Sequence, residues 1–300
     1  MNRRAFIKSG ASAILLNFLP FGRLLSETGN PTVWEVSGLS LQSISALFDE
    51  LGGLKELIEK DLSSSTVLIK PNICLPHLPA SATTTTPSTV DVLCEYLIKS
   101  GVKRVVITDH TLQDSDKFKN IPLYEVAEKY PEVRLILANE RRLYSPVQVD
   151  GKELKETEVM KIASKADLII NLPTAKHHSA THVSLAIKNL MGMIWDRATF
   201  HTNLDLHQAI GDLSTVIRPQ INIIDASRVL LNGGPTGPGK IIEDNRLFAS
   251  TDIVAVDTVV ASRYDFAGKR LQPQQIAHLK AAYQNGIGEI DLDKIQINKI

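Results

Sequence analysis

Apolar positions along this chain fall into two alternating rhythms. Residues 31–37 read as a first strand. Residues 41–60 carry Leu41, Ile44, Leu47, Phe48, Leu51, Leu54 and Ile58 at helical spacing, with Gly52-Gly53 placed to weaken or break that helix. The run TVLIK at 66–70 is a short buried strand stopped by Pro71, and a Pro- and Thr-rich stretch follows from Asn72 to Thr86. Thr86 then caps a helix with Pro87 in its first turn, which runs to about Ser100 and ends at Gly101. Further strands are expected at 104–109, 133–138, 167–172 and 221–226. Helices are expected at 123–129, 183–193, 204–217, 252–264 and 274–284. Apolar runs alternating with helices predict an α/β fold: one domain over 31–300, a mainly parallel sheet and helices on both faces. Ligands of such sheets bind at the carboxyl ends of the strands, so the informative loops follow Lys70, Asp109, Leu172 and Ala226.

The first 26 residues break this rhythm. Arg3-Arg4, followed by Phe6, Ile7 and Lys8, resembles a twin-arginine export signal, and a weakly apolar stretch follows that is too short to span a bilayer. Leu24-Leu25-Ser26 is the nearest stand-in for a cleavage site, and an uncut segment would act as a tether. The expected partner is therefore the twin-arginine machinery, and the expected location is the periplasm or the outer face of the membrane. No integral span is expected in the mature chain. This segment also changes the charge picture. The 300 residues hold 33 basic and 33 acidic side chains; removing Arg3, Arg4, Lys8 and Arg23 leaves 29 against 33, a mildly acidic domain. Neither balance suits a nucleic-acid binder, which needs a basic face. Hydrophobic residues at 43% and charged residues at 22% fit a globular chain and exclude disorder and multiple membrane spans. Cys74 and Cys94 could pair in an oxidising space, but Cys94 lies among apolar helical neighbours and reads as a buried free thiol.

Chemistry concentrates after Leu172. Five of the eight histidines lie between His177 and His207, flanked by Lys176 and Lys188. Neutral imidazoles bind transition metals or move protons near neutral pH, and lysines hold phosphate or carboxylate or form covalent adducts. The spacing matches no standard zinc motif, and His182 and His207 have the plain alternative of solvated side chains. Lys70, Asn72, Lys176 and Asn189 are the candidate ligand contacts. The threonine cluster that ends at Thr86 offers hydroxyls and free N–H groups at a helix start, or simply a cap and a solvated loop. Asp225 ends its strand facing the same edge. Gly234 and Gly237, in a glycine-rich loop without the Gly-Lys-Ser/Thr ending of a phosphate loop, set a tight turn there and are counted as ligand-contacting positions. Asp257, on an apolar helix, needs a partner or caps a neighbouring element. Asp109 and His110 carry less weight.

Several segments together are similar to one family, catalogued as domain of unknown function 362. They are VLIKPN at 67–72, TTPSTVDVLCEYLIKSGVKRVVITD at 85–109, ADLIINLPTAKHHSATHVSLAIKNLMG at 166–192, IIDASRVLLNGGPTGPG at 223–239 and STDIVAVDTVVA at 250–261. The resemblance places the family's Lys-x-His step on Lys176 and His178, its Lys-Asn on Lys188-Asn189 and a downstream His on His201. His182 stands where relatives tend to carry Gly. Many members add a ferredoxin-like cysteine cluster, absent here, so no iron–sulfur cluster is expected. A more distant likeness to nickel-pincer lactate racemases, taken as fold analogy, casts His178 and His201 as acid/base groups or metal ligands and Lys188 as a covalent anchor. The resulting expectation is an exported enzyme that uses a transition metal or a covalently held organic cofactor on a small anionic substrate. The alternative is a non-catalytic binding module for a small anionic ligand, and a partner-docking role ranks last.

Overall fold

The computed structural model describes residues 29–113 and 115–300; the export signal read at residues 1–26 lies outside the described residues. In chain order the elements are β1 (Thr32–Ser37), α1 (Leu41–Glu50), α2 (Leu54–Leu57), β2 (Thr66–Pro71), α3 (Pro87–Lys99), β3 (Arg104–Asp109), α4 (Leu123–Lys129), β4 (Val133–Leu137), β5 (Tyr144–Gln148) and β6 (Glu156–Met160). They continue with β7 (Leu168–Leu172), β8 (Thr174–His178), β9 (His182–Ser184), α5 (Ala186–Asn189), α6 (Ala198–Thr202), α7 (Leu206–Leu213), β10 (Ile221–Leu230), β11 (Ile241–Ser250), α8 (Ile253–Arg263), α9 (Ala277–Gln284) and β12 (Gln296–Lys299).

The main sheet runs β12-β1-β11-β10-β7-β2-β3-β4. Strands β10, β7, β2, β3 and β4 are parallel, β11 is antiparallel between β10 and β1, and β12 lies parallel to β1. The fold is thus the α/β class expected, with a mainly parallel sheet. Several elements differ from the expectation. Gly52 and Gly53, both at positive φ, end the first helix early. The stretch 183–193 is split between β9, the single turn α5 and a 3-10 turn at Leu190–Met193, because 182–184 pairs with β8 and forms a hairpin with it. Helix α7 starts only at Leu206, where the Asp205 carboxylate accepts from the His207 and Gln208 N–H groups. Strand β10 runs on to Leu230 to pair with β11. Strands β5, β6, β11 and β12 escaped the reading because their polar positions dilute the apolar signal: β12 is a short edge strand, and the first six residues of β11 are partly exposed.

Alternation divides the core in two. Val67, Ile69, Val105, Ile107, Leu168 and Ile170 face the side covered by α1, α3 and α4. Leu68, Val106, Ile169 and Ile224 face the side covered by α5, α7, α8 and α9. On that second face the next inward positions are polar. Lys70 of β2 stands opposite Asn171 of β7, and Asn171 stands opposite Asn222 of β10. A fully buried polar row therefore crosses three adjacent strands. The chain builds outward from β2 to β3 and β4, then returns to lay β7 on the other flank of β2. The order reverses between β2 and β7, where α/β sheets open a crevice for ligands.

Candidate functional site

The polar row is wired to α5. Lys70 Nζ donates to Asn189 Oδ1 (3.0 Å) and to its neighbour Pro71 O (2.6 Å), and pairs with Asp109 at 2.9 Å. Asn189 Nδ2 donates to Asn171 Oδ1 (2.8 Å), and Asn171 Nδ2 donates to Asn222 Oδ1 (3.0 Å). Asn72, just past β2, donates to the same Asn189 oxygen at 3.2 Å and accepts from Lys176 Nζ at 3.1 Å. Lys176 also donates to Thr83 O at 2.7 Å. The third lysine, Lys188, lies one residue before Asn189; the hydrogen bond described for its amine is to Met191 Sδ at 2.8 Å. Helix α5 is held by Asp257 of α8, whose carboxylate accepts from the Ala186 and Ile187 N–H groups at 2.7 and 3.0 Å. That buried carboxyl is pushed up to about 7, burial outweighing those two hydrogen bonds.

Burial dominates the electrostatics. It lowers Lys70, with Asp109 opposing, and lowers Lys176, with Cys74 and Asp109 opposing. Lys188 is pushed down to about 7 by burial, with Lys176 and Arg197 adding and Cys74 opposing. His178 ends β8, and its Nδ1 accepts from the Ala180 N–H at 3.1 Å. Burial, then the charges of Lys188 and Lys176, push it down to about 3. His201, exposed on α6, is lowered by burial and by Lys188 and Arg197. The structure thus gathers Lys70, Asn72, Lys176 and Asn189 into one hydrogen-bonded network, with Lys188 beside it within reach of the Lys176 charge, His178 within the field of Lys188 and Lys176, and His201 within that of Lys188.

Other expected positions serve the framework. The Thr86 N–H donates to Asp225 Oδ2 at 2.7 Å, and Asp225 also accepts from the Ser227 N–H and hydroxyl. The anion at that helix start is therefore the protein's own carboxylate, and among the described contacts Asp225 pairs with no histidine. Thr85 bridges the Asn72 N–H and Leu172 O, fastening the threonine loop to the strand ends. The Gly234 N–H donates to His177 Nδ1 at 3.2 Å, and a Cβ there would collide with the His177 carbonyl. Gly237 turns at φ +71° with its N–H on Gly233 O, beside the Thr83 side chain. His182 has φ +65°, the left-handed region where Gly is at ease, which fits the Gly expected there from the resemblance. Cys74 and Cys94 are both free, and burial pushes Cys94 up to about 12.

Sequence reasoning passed over four groups. Asn171 and Asn222 carry the network across the sheet. Cys74 Sγ lies 3.7 Å from Asn72 Oδ1, the atom that receives Lys176. His278 of α9 is fully buried with neither ring nitrogen partnered among the described residues, stacked on His207 at 6.0 Å. Burial, then His207 and Lys188, push it down to about 3. The first two had a signal: each is an amide inside an apolar strand, LIINL and INIID. His278 had none.

A buried lysine–amide network at the switch point of a parallel sheet defines a class, an α/β protein with a cationic polar network at the carboxyl ends of its central strands. The chain belongs to the family described as domain of unknown function (DUF362), whose pattern matches residues 67–262. Among curated proteins it is similar to the thylakoid-associated protein sll1697 of Synechocystis, 24% identical over 235 residues that cover 75% of this chain and 70% of that protein. Among solved structures it is similar to the lactate racemase apoprotein of Thermoanaerobacterium thermosaccharolyticum. That match has 15% identity and a TM-score of 0.41, covering 83% of this chain and 56% of that one. Among the described residues no helix is long and apolar enough to cross a membrane.

Proposed function

We propose that the chain is an enzyme acting on a small anionic molecule held by Lys70, Lys176 and Lys188, with His178 as the proton-transfer group and Lys188 as the amine that meets the reacting atom. The observation that carries this reading is unbalanced buried charge. Two buried lysines, Lys70 and Lys176, share one network and a third, Lys188, lies within range of the Lys176 charge; only Asp109 pairs with any of them within the described residues. Buried cations call for a counter-charge or lose their protons. An incoming carboxylate or phosphate supplies that counter-charge. Lys188, half neutral near pH 7, is suited to act as nucleophile or base. His178 is neutral and only weakly basic as it stands; an anion bound at Lys188 and Lys176 would offset the two charges that help to hold it low, raising its basicity for proton transfer. Asn72 and Asn189 orient the lysines.

The donor set does not fit a metal held by the protein. Among the described residues no three His, Cys, Asp or Glu side chains converge, so His178 and His201 offer two donors and no step is routed through a metal. An organic cofactor bearing an acidic group and an electrophilic carbon fits the lysines better. Lys70 and Lys176 would hold the acid and Lys188 the carbon, where the cofactor would act as an electron sink. Competitive labelling of Lys188 with acetic anhydride, read by mass spectrometry, is expected to show a reactivity midpoint near pH 7. Oxalate or inorganic phosphate is expected to raise it. A midpoint near that of a surface lysine, unmoved by either anion, would overturn the reading. For a purely binding protein, His178→Asn would leave anion affinity nearly intact and the wild-type protein would convert none of the anions it binds.

The twin-arginine pattern supports export to the periplasm, with the segment cleaved or kept as a tether. Arg3→Lys with Arg4→Lys is expected to trap the protein in the cytoplasm; unaltered export would remove this part of the proposal.

A further inference from the structure

A second feature stands apart from the lysine network. At the carboxyl end of β3 a cleft of roughly 450 Å³ is lined by His110, Thr111, Leu112, Trp195, Arg197 and Ala198, and by two carboxylates that are already engaged. Glu158 holds Arg141 Nε at 3.0 and 3.1 Å on the same wall, and Asp196 accepts from Thr199, so Arg197 is the cation left without an acid partner among the described residues. The cleft's volume lies within the range of small-molecule sites, about 300–1,000 Å³. Its aromatic wall is rigid. The His110 ring stacks on Trp195 with centroids 5.2 Å apart and planes 6° from parallel, and Tyr144 packs against both rings at 5.7 and 5.4 Å. His110 Nδ1 lies 2.8 Å from Ile194 O, which makes that nitrogen the donor; burial, then Arg197, lowers the ring's pKa, with that hydrogen bond opposing. The cationic side is rigid as well. Arg197 donates to His110 O (3.0 Å) and Thr111 O (3.1 Å), neutral acceptors that hold the guanidinium in place without cancelling its charge. Leu112, 59% exposed, leaves apolar surface at the lip.

An indole wall, an immobilised guanidinium and an exposed leucine around one cleft have a common chemical complement. We propose that this cleft binds a planar aromatic ring carrying an acidic group, the ring against Trp195 and the acid toward Arg197. Aromatic stacking holds a flat ring irrespective of its substituents, and the guanidinium selects the charged form. The acid could be a ring carboxylate or a nucleotide phosphate, and the two probes below separate these sources. The cleft is separate from the proposed lysine site: Gly192 intervenes, its carbonyl accepting the His110 N–H while its Cα abuts Lys70 and Asp109.

The chain holds two tryptophans, so a full-length Trp34→Phe protein makes Trp195 the sole indole reporter. Nicotinate, AMP, nicotinamide and adenosine are titrated against its emission at low salt. Saturable quenching by nicotinate or AMP, at least about tenfold tighter than by its uncharged counterpart and weakened by added salt, supports the proposal. Nicotinate alone assigns small aromatic acids, and AMP alone assigns nucleotides. Arg197→Gln is expected to erase the preference for charge. Because that substitution also removes two contacts to the 110–111 backbone, Arg141→Gln provides a second variant: it leaves the Glu158 carboxylate, which now holds Arg141 Nε at 3.0 Å, uncompensated at the cleft wall and is expected to weaken the charged probe while sparing the uncharged one. Equal affinity for charged and uncharged rings in the wild-type background, or no saturable response to any of the four, overturns the proposal.

Discussion

Lys188 shows how a residue suited to chemistry is unsuited to stability. Its side chain is almost fully buried and its amine is held near pH 7, more than three units below an ordinary lysine. At about 1.4 kcal/mol per unit, keeping it charged costs the fold on the order of 4 kcal/mol at neutral pH. Lys188→Met, of similar length and beside Met191, is expected to raise the thermal midpoint by about 5 °C or more while abolishing anion-dependent protection of the site. Calorimetry of the two proteins checks this. His278 gives a pH dependence of the same sign in a more acidic window. Its ring, held at about 3 against an ordinary 6.5, is neutral when folded and takes up a proton when the chain unfolds. Its contribution to stability is intact above pH 6.5 and is lost as pH falls toward 3. Denaturant titrations between pH 7 and 4 are expected to show stability falling with acid, and His278→Leu to flatten that slope. An unchanged slope would mean that other groups set the acid limit.

Elements place these residues, and here the sequence was legible in part. Lys176 and Lys188 stand out in the sequence because they flank the histidine cluster, and Lys70 because it ends a buried strand at a ligand-binding edge. Asn171 and Asn222 are marked more faintly, each an amide inside an apolar strand, and only the strand register reveals that they stand level with Lys70. Helix α5 was read as a longer helix, since its apolar spacing continues across the hairpin that precedes it. What shortens it is tertiary: β9 pairs with β8, and Asp257 reaches over from α8 to fix the first α5 amides. The threonine loop looked like an anion cradle because the sequence hides that Asp225 fills the helix start. Gly192, in the turn after α5, seals the arrangement. A Cβ there would lie 2.6 Å from Lys70 Nζ and closer still to Asp109 Oδ1. Gly192→Ala is therefore expected to split a buried ion pair, at a cost of about 3–5 kcal/mol. Urea unfolding measures the loss, and hydrogen exchange is expected to show faster exchange at the His110 amide, which donates to the Gly192 carbonyl.

At the scale of the whole molecule, the parallel core was readable from five apolar runs alternating with helices, and the antiparallel flank was not. Strand β11 is polar along its outer half, and β12 is an exposed edge; both owe their pairing to neighbours distant in sequence. That flank fixes a direction. Two antiparallel steps, β1 to β11 and β11 to β10, leave β1 pointing the same way as β10, β7 and β2. The lysine network sits where β2 and β7 end, whereas the chain enters β1 at its beginning, roughly one strand length of about 20 Å away across the sheet. Whatever precedes Pro31 therefore departs from the pole opposite the lysine network. A bulky fluorescent protein fused ahead of residue 31 is expected to leave the reactivity of Lys188 unchanged. If the segment remained uncut in a bilayer, the lysine network would lie at the end of the sheet away from the anchored end, and an anion would approach it from solvent instead of across a lipid surface.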